Sequence, residues 1–269
     1  MQVSVPTDSS PLQRLLQIMA ALRDPESGCP WDLKQDFASI VPHTIEEAYE
    51  VADAIARGEP QAIQDELGDL LFQVVFYAQL GREQGWFGFD DIAAGVGDKL
   101  IRRHPHVFAA GSDGMTADAV KEQWEAIKRD ERAEKDASAS VFADVPANLP
   151  ALLQAVKIQK RCRSVGFDWN DIRPVLDKVR EEVDEVQAEL DAAQLDEDKL
   201  AEEIGDLLFS VVNLARHAKV NPESALRAAN QKFIHRFNAV ERQAEAAQRP
   251  LADFSLVELE TFWQLAKQS

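Results

Sequence analysis

The chain has 269 residues, more than one compact domain needs and enough for two of about 130 residues each. Its 45% hydrophobic and 28% charged content, with only 12 Gly and 12 Pro, excludes a disordered or fibrous protein. A formal net charge of −18 argues against duplex nucleic acid or an anionic membrane as the main partner, but not against an anionic small molecule whose site reverses the local field.

At the start of the chain, Leu12, Leu15, Leu16, Met19 and Leu22 fall at helical spacing with no basic segment before them, so an amphipathic helix is expected there and not a signal peptide. Further helices are expected at 44–57, 60–82, 91–103 and 117–136, then at 147–162, 172–193, 197–219, 222–246 and 255–267. Gly58 and Pro60 close one helix and open the next, Pro222 suits a first turn, and Ser255 with Glu258 reads as a capping box. Strand periodicity is nearly absent, which predicts an all-α fold. Residues 136–150, DASASVFADVPANLP, have the composition of a linker between an N-terminal domain at 1–135 and a C-terminal domain at 151–269. Cys29 and Cys162 are far apart with no CxxC spacing, so neither a disulfide framework nor a zinc site is expected. No run approaches the roughly 18 apolar residues of a membrane span. The expected location is the cytoplasm.

The two halves repeat one another. DELGDLLFQVV at 65–75 returns as EEIGDLLFSVV at 202–212, and eight of the ten positions from Glu66 and Glu203 onward are identical. GCPWD at 28–32 is matched by GFDWN at 166–170, EEAYEV at 46–51 by EEVDEV at 181–186, and KLIRR at 99–103 by KFIHR at 232–236. Four landmarks in the same order imply a tandem duplication of one helical module.

The repeated residues carry chemistry. Glu182 and Glu185 are three apart on one expected helix, and Glu203 and Asp206 three apart on the next, so each pair projects from one face. Glu47, Glu50, Glu66 and Asp69 are their counterparts. Any one such pair in an acidic chain reads as a solvated face, and Thr44 with Glu47 also reads as a capping box. Four facing carboxylates, kept twice, instead call for a neutralising cation, and an all-oxygen set selects Mg²⁺ or Mn²⁺. Lys178 and Lys199 stand four residues before Glu182 and Glu203, and Lys232 and Arg236 are four apart on a later helix. Cations around a metal-holding cluster suit a polyphosphate. The first half keeps Lys99 and Arg103 but has His43 and Ala62 in place of the two lysines, which makes the C-terminal copy the expected catalyst and the N-terminal copy weaker, regulatory or structural. The apolar sets Leu70 to Val75 and Leu207 to Val212 are expected to be core, and Gly68 and Gly205 to mark close helix approach.

EExxE followed by ExxD, with GDLLF, GCPWD and RRHPHVF, resembles the MazG family of nucleoside triphosphate pyrophosphohydrolases in its tandem two-domain form. The resemblance implies four-helix modules completed by homodimerisation. It also implies Mg²⁺-dependent cleavage of nucleoside triphosphates, ATP included, to monophosphate and pyrophosphate with broad base tolerance, in a nucleotide house-cleaning role. It makes Glu182, Glu185, Glu203 and Asp206 metal ligands, and Lys178, Glu181, Lys199, Glu202, Lys232, Arg236 and Trp263 nucleotide contacts; His235 stands where an Arg would extend the basic patch. The alternatives are a pyrophosphatase narrow for one deoxynucleotide and a non-catalytic helical module whose acidic faces bind a basic partner.

Overall fold

The computed structural model describes residues 9–108, 115–135 and 140–267, and among them helices are the only regular secondary structure. Those up to Asp130 belong to one compact unit and those from Glu131 onward to a second. The first four positions of the expected linker, 136–139, lie outside the described residues. From Ser140 the chain runs in turns, and Asp144 is tied to α7 (Ala151–Ser164) by an ion pair with Arg161.

In the N-terminal unit, α1 (Pro11–Leu22) and α4 (Phe89–Arg103) pack on α3 (Pro60–Glu83), which forms a hairpin with α2 (Phe37–Arg57). The hairpin turn is built by Gly58, whose φ of 71° is the left-handed conformation glycine adopts without strain, followed by Pro60 in the first turn of α3. Met19, Ile40, Val75, Phe76 and Leu80 close the core between these helices. Beyond α4 lie the short α5 (Pro105–Phe108) and α6 (Ala117–Lys135).

The second unit repeats the hairpin as α8 (Ile172–Leu190) and α9 (Glu197–His217). Here the connection is longer, and Asp196 caps α9 by accepting from the backbone N–H groups of Asp198 and Lys199. α7 packs on α9, α10 (Pro222–Ala246) touches both, and α11 (Leu256–Ala266) packs on α10. The capping box expected at Ser255 and Glu258 opens α11.

Three expectations need correction. α2 begins at Phe37, seven residues before the expected start, because Asp36 and Ser39 form a capping box and Ile40 is buried; together these offset Pro42, whose missing N–H and ring disfavour a helix interior by roughly 3 kcal/mol. Thr44 is therefore mid-helix, its hydroxyl donating to the Ile40 carbonyl, and Glu47 belongs to no capping box. Second, only part of each repeated apolar run is core. Val75 and Val212 are buried, whereas Leu71, Leu208, Phe209 and Val211 are exposed, Leu208 by 54%. Third, a Cβ built on Gly68 or Gly205 would meet nothing within 4 Å, so no helix approaches closely at either glycine among the described residues.

Candidate functional site

Each hairpin brings two short stripes of side chains face to face. On α2 and α8 the stripes are His43, Glu47, Glu50 and Lys178, Glu182, Glu185, at i, i+4, i+7. On α3 and α9 they are Glu66, Asp69, Gln73 and Glu203, Asp206, Ser210, at i, i+3, i+7. All six positions of a stripe pair share the facing sides of an antiparallel hairpin.

The result is two carboxylate trios. Oxygens of Glu182, Glu203 and Asp206 lie within 4.8 Å of one another, and so do oxygens of Glu47, Glu66 and Asp69. Glu185 is outside the trio; the adjoining Glu182 carboxyl first, then burial and the charge of Glu203, pushes its own carboxyl up. Burial, then the charges of Asp69 and Glu50, does the same to Glu47. Crowded carboxylates hold their protons more tightly because each charge disfavours the next.

The C-terminal trio is the more deeply set. Glu182 is only 4% exposed, and its Oε2 is buried with no hydrogen-bond partner. Such an atom forfeits its hydration unless something else coordinates it. Hard oxygen donors with one buried lone oxygen fit a Mg²⁺-sized cation, which favours carboxylate ligands. The other oxygen of Glu182, Oε1, is 2.8 Å from Lys178 Nζ, which also donates to Glu181 at 2.8 Å. Those bonds, to Glu181 first and Glu182 second, push the lysine pKa up, so its charge is held.

The other sequence-predicted contacts are arranged less tightly. Lys199 and Glu202 are exposed on α9, one turn before and beside Glu203. Lys232 and Arg236 lie a turn apart on α10, flanking Phe233, whose ring is 4.9 Å from that of Trp263 on α11. Among the described residues no hydrogen bond or ion pair joins the α10 and α11 group to the carboxylate trio. The structure thus brings Lys178, Glu181 and Glu182 into contact, and among the described residues it ties Phe233 to Trp263 without a bond from either helix to the trio.

Two features were not anticipated from the sequence. Gln73 is buried to 6% exposure and its Nε2 is 3.4 Å from Glu47 Oε1, while its own Oε1 has no partner. Its counterpart Ser210 instead donates to the Leu207 carbonyl on its own helix. The signal was present, since Gln73 and Ser210 are one of the two differences in the ten-residue repeat. The second feature is a buried network at the foot of the GFDWN loop: Arg216 forks onto Asp168 at 2.9 and 2.6 Å, and His217 Nε2 lies 3.0 Å from the same carboxylate. It anchors the segment that leads into α8.

Comparison with known proteins assigns both hairpins to one domain family. The model of the MazG nucleotide pyrophosphohydrolase domain matches twice, at residues 35–108 and 172–241, and each match contains one hairpin and its carboxylates. The chain is 54% identical to the nucleoside triphosphate pyrophosphohydrolase of Escherichia coli (strain K12), over 96% of this chain and 97% of that one. It is 42% identical to the nucleoside triphosphate pyrophosphohydrolase/pyrophosphatase MazG of Thermotoga maritima, over 95% of each. A nucleoside triphosphate pyrophosphohydrolase of Mycobacterium tuberculosis is 31% identical over 92% of this chain and 64% of its own length. With the domain matched on both hairpins and relatives aligned from end to end, the chain belongs to the MazG nucleotide pyrophosphohydrolase family, as a tandem two-domain member.

Proposed function

We propose that the chain is a divalent-cation-dependent nucleoside triphosphate pyrophosphohydrolase that converts NTP or dNTP and water to the monophosphate and pyrophosphate, with broad base tolerance. The observation that carries the reading is the lone buried oxygen of Glu182 in a trio of carboxylates with a lysine at its edge. The names of the relatives support the reaction class.

In this reading Glu182, Glu203 and Asp206, with Glu185 beside them, hold Mg²⁺, or Mn²⁺ in its place. The bound cation supplies neutralisation of the phosphate charge and a lowered pKa for water in its shell. Lys178 and Lys199 bind phosphate oxygens from the two rims of the hairpin, and Lys232 and Arg236 complete the cationic wall around the departing pyrophosphate. A carboxylate of this group not fully engaged as a ligand takes the proton of the water that attacks the α-phosphorus. Glu181 and Glu202 orient these groups, and Trp263 contributes an aromatic face for the base. The C-terminal copy carries the turnover; the N-terminal copy is weaker, regulatory or structural.

The same reading takes the molecule to be a homodimer. On α9 Ile204, Leu208 and Val211 form an exposed apolar stripe, and on α3 Leu67 and Leu71 form its counterpart. Water-facing stripes of this kind suit a helical partner. Among the described residues no helix is long and apolar enough to cross a membrane. With its two cysteines free, the chain suits the reducing cytoplasm, in nucleotide-pool house-cleaning.

Product analysis of ATP and dNTP hydrolysis with Mg²⁺ tests the reaction. Monophosphate with pyrophosphate is expected. Diphosphate with inorganic phosphate would reject attack at the α-phosphorus.

A further inference from the structure

The two trios share a backbone and differ in what stands beside their buried glutamate. At the C-terminal trio that group is Lys178, on Glu182 Oε1, with Lys199 one turn before Glu203 on the other helix. At the N-terminal trio His43 occupies the lysine's place, its ring edge-on to Trp31 at 5.9 Å and its Nδ1 3.8 Å from Glu46, and Ala62 replaces the second lysine. The group that reaches Glu47 is the Gln73 amide, neutral, 6% exposed and lying on the same stripe of α3 as Glu66 and Asp69.

Gln73 is informative because half of its amide has no partner. Its Nε2 faces Glu47 and its Oε1 is buried without a donor. A half-turn of the amide would exchange the two atoms and set the carbonyl oxygen where the nitrogen now meets Glu47, the glutamate of the trio. Three carboxylates with one neutral amide oxygen, and among the described residues no lysine paired with them, form a donor set for a hard divalent cation by itself. At the other trio the lysine charge occupies one glutamate oxygen and opposes the entry of a bare cation. A polyphosphate removes that opposition, since its oxygens can take the lysine while the cation bridges to the trio.

We propose that the two clusters are set to different ligands: the N-terminal trio, completed by the Gln73 amide oxygen, binds a bare divalent cation, whereas the C-terminal trio binds a divalent cation only together with a polyphosphate. The inference rests on the reading that the trios hold cations, and goes beyond it in separating their ligands. The N-terminal copy is then a cation site occupied whether or not nucleotide is present, and the C-terminal copy is empty of cation until nucleotide arrives. Because coupling between two ligands is reciprocal, cation and nucleotide tighten one another at the second site and are independent at the first.

The test is a Mn²⁺ titration of the full chain followed by the electron paramagnetic resonance of free Mn²⁺, with and without a nucleoside triphosphate whose α–β bridge is methylene, each read against the same titration without protein so that only protein-dependent binding is counted. Without the analogue, Mn²⁺ binding is expected in the wild type and in Glu203→Gln and is lost in Glu66→Gln; with the analogue, Glu66→Gln regains a bound Mn²⁺ and Glu203→Gln does not gain one. Gln73→Ser weakens the bare-cation site by about tenfold, the lower end for loss of a supporting group in a metal site. Lys178→Met, which leaves the core untouched, gives Glu66→Gln a bare-cation site it otherwise lacks, tightening Mn²⁺ there by roughly tenfold, an ordinary size for coupling between two ligands. This gain keeps the test decisive if Gln73→Ser fails to fold. Equal nucleotide-free binding at both trios, or binding lost in Glu203→Gln and kept in Glu66→Gln, would overturn the inference while leaving both trios as cation sites. Absence of bound Mn²⁺ in every variant, with or without the analogue, would overturn the cation reading as well.

Discussion

Lys178 Nζ rests 2.8 Å from Oε1 of Glu182, the most deeply buried carboxylate of its trio. The lysine is one turn before the glutamate on α8, with its side chain about one-third exposed, so its charge is available at the rim while its partner lies inside. The corresponding positions of the first copy are His43 and Glu47, and Glu47 is met by an amide. Much of the proposed division of labour follows from this one exchange.

Glu182→Gln should remove turnover without removing the fold. The amide has the shape of the carboxylate, and the repulsion with Glu203 and Asp206 that it relieves offsets the Lys178 ion pair that it weakens, so stability without cation should change by no more than about 1 kcal/mol, the size typical of point substitutions. Loss of a metal ligand should lower kcat by at least about a hundredfold, and the rise in melting temperature given by Mg²⁺ with a nucleotide analogue should disappear. Steady-state kinetics and calorimetry on the same preparations check both.

Asp168 should give the C-terminal unit an acid-sensitive stability. Burial raises its carboxyl, but bonds from Arg216 and His217 outweigh burial and hold it below the usual carboxylate range. A carboxylate depressed in the folded state contributes stability above its unfolded pKa of about 3.9, and that contribution is lost as pH falls through the folded value. Melting curves over about four pH units, from roughly pH 6 to pH 2, should fall more steeply for wild type than for Asp168→Asn. At neutral pH Arg216→Met should cost about 3 kcal/mol, the lower end for breaking a buried ion pair, because His217 still reaches Asp168.

Arg23 should prove equally important to the first unit. It is buried, donates to both oxygens of Glu83 at 2.8 and 2.6 Å, and also bonds the carbonyls of Asp32 and Gln35, so it ties the GCPWD loop to the end of α3. Arg23→Lys keeps the charge but not the planar fork. Chemical denaturation should show a loss of about 2 kcal/mol or more, the scale of a charged hydrogen-bond network cut to one donor.

Leu208→Glu tests the proposed dimer. The side chain is exposed in the chain alone, so the substitution should leave monomer stability within about 0.5 kcal/mol. If α9 packs on a partner, the buried charge should shift sedimentation toward monomer at micromolar concentration. An unchanged dimer would exclude this stripe from the interface.

The helical repeat was legible because its signals are local: apolar periodicity, the Gly58 and Pro60 turn, and caps such as Ser255. The carboxylate stripes were legible for the same reason, since spacing along one helix fixes the face. What escaped depends on the hairpin partner. The start of α2 hid behind Pro42, whose local penalty is outweighed by a cap and by burial of Ile40. Leu71, Leu208, Phe209 and Val211 looked like core because an apolar residue records that a face is covered, not by what, and no element of the described chain covers them. Gln73 was overlooked because a polar residue in an apolar run carries no local signature; only its contact with Glu47 across the hairpin gives it meaning.

In the proposed function the C-terminal trio performs cation-dependent cleavage between the α- and β-phosphates. Its most direct test is Mg²⁺-dependent hydrolysis of a nucleoside triphosphate by wild type, Glu203→Gln and Glu66→Gln, with the products identified. Monophosphate and pyrophosphate formed by wild type and Glu66→Gln, and lost in Glu203→Gln, is the predicted result. Loss in Glu66→Gln with activity kept in Glu203→Gln would move the catalyst to the N-terminal copy and contradict the account.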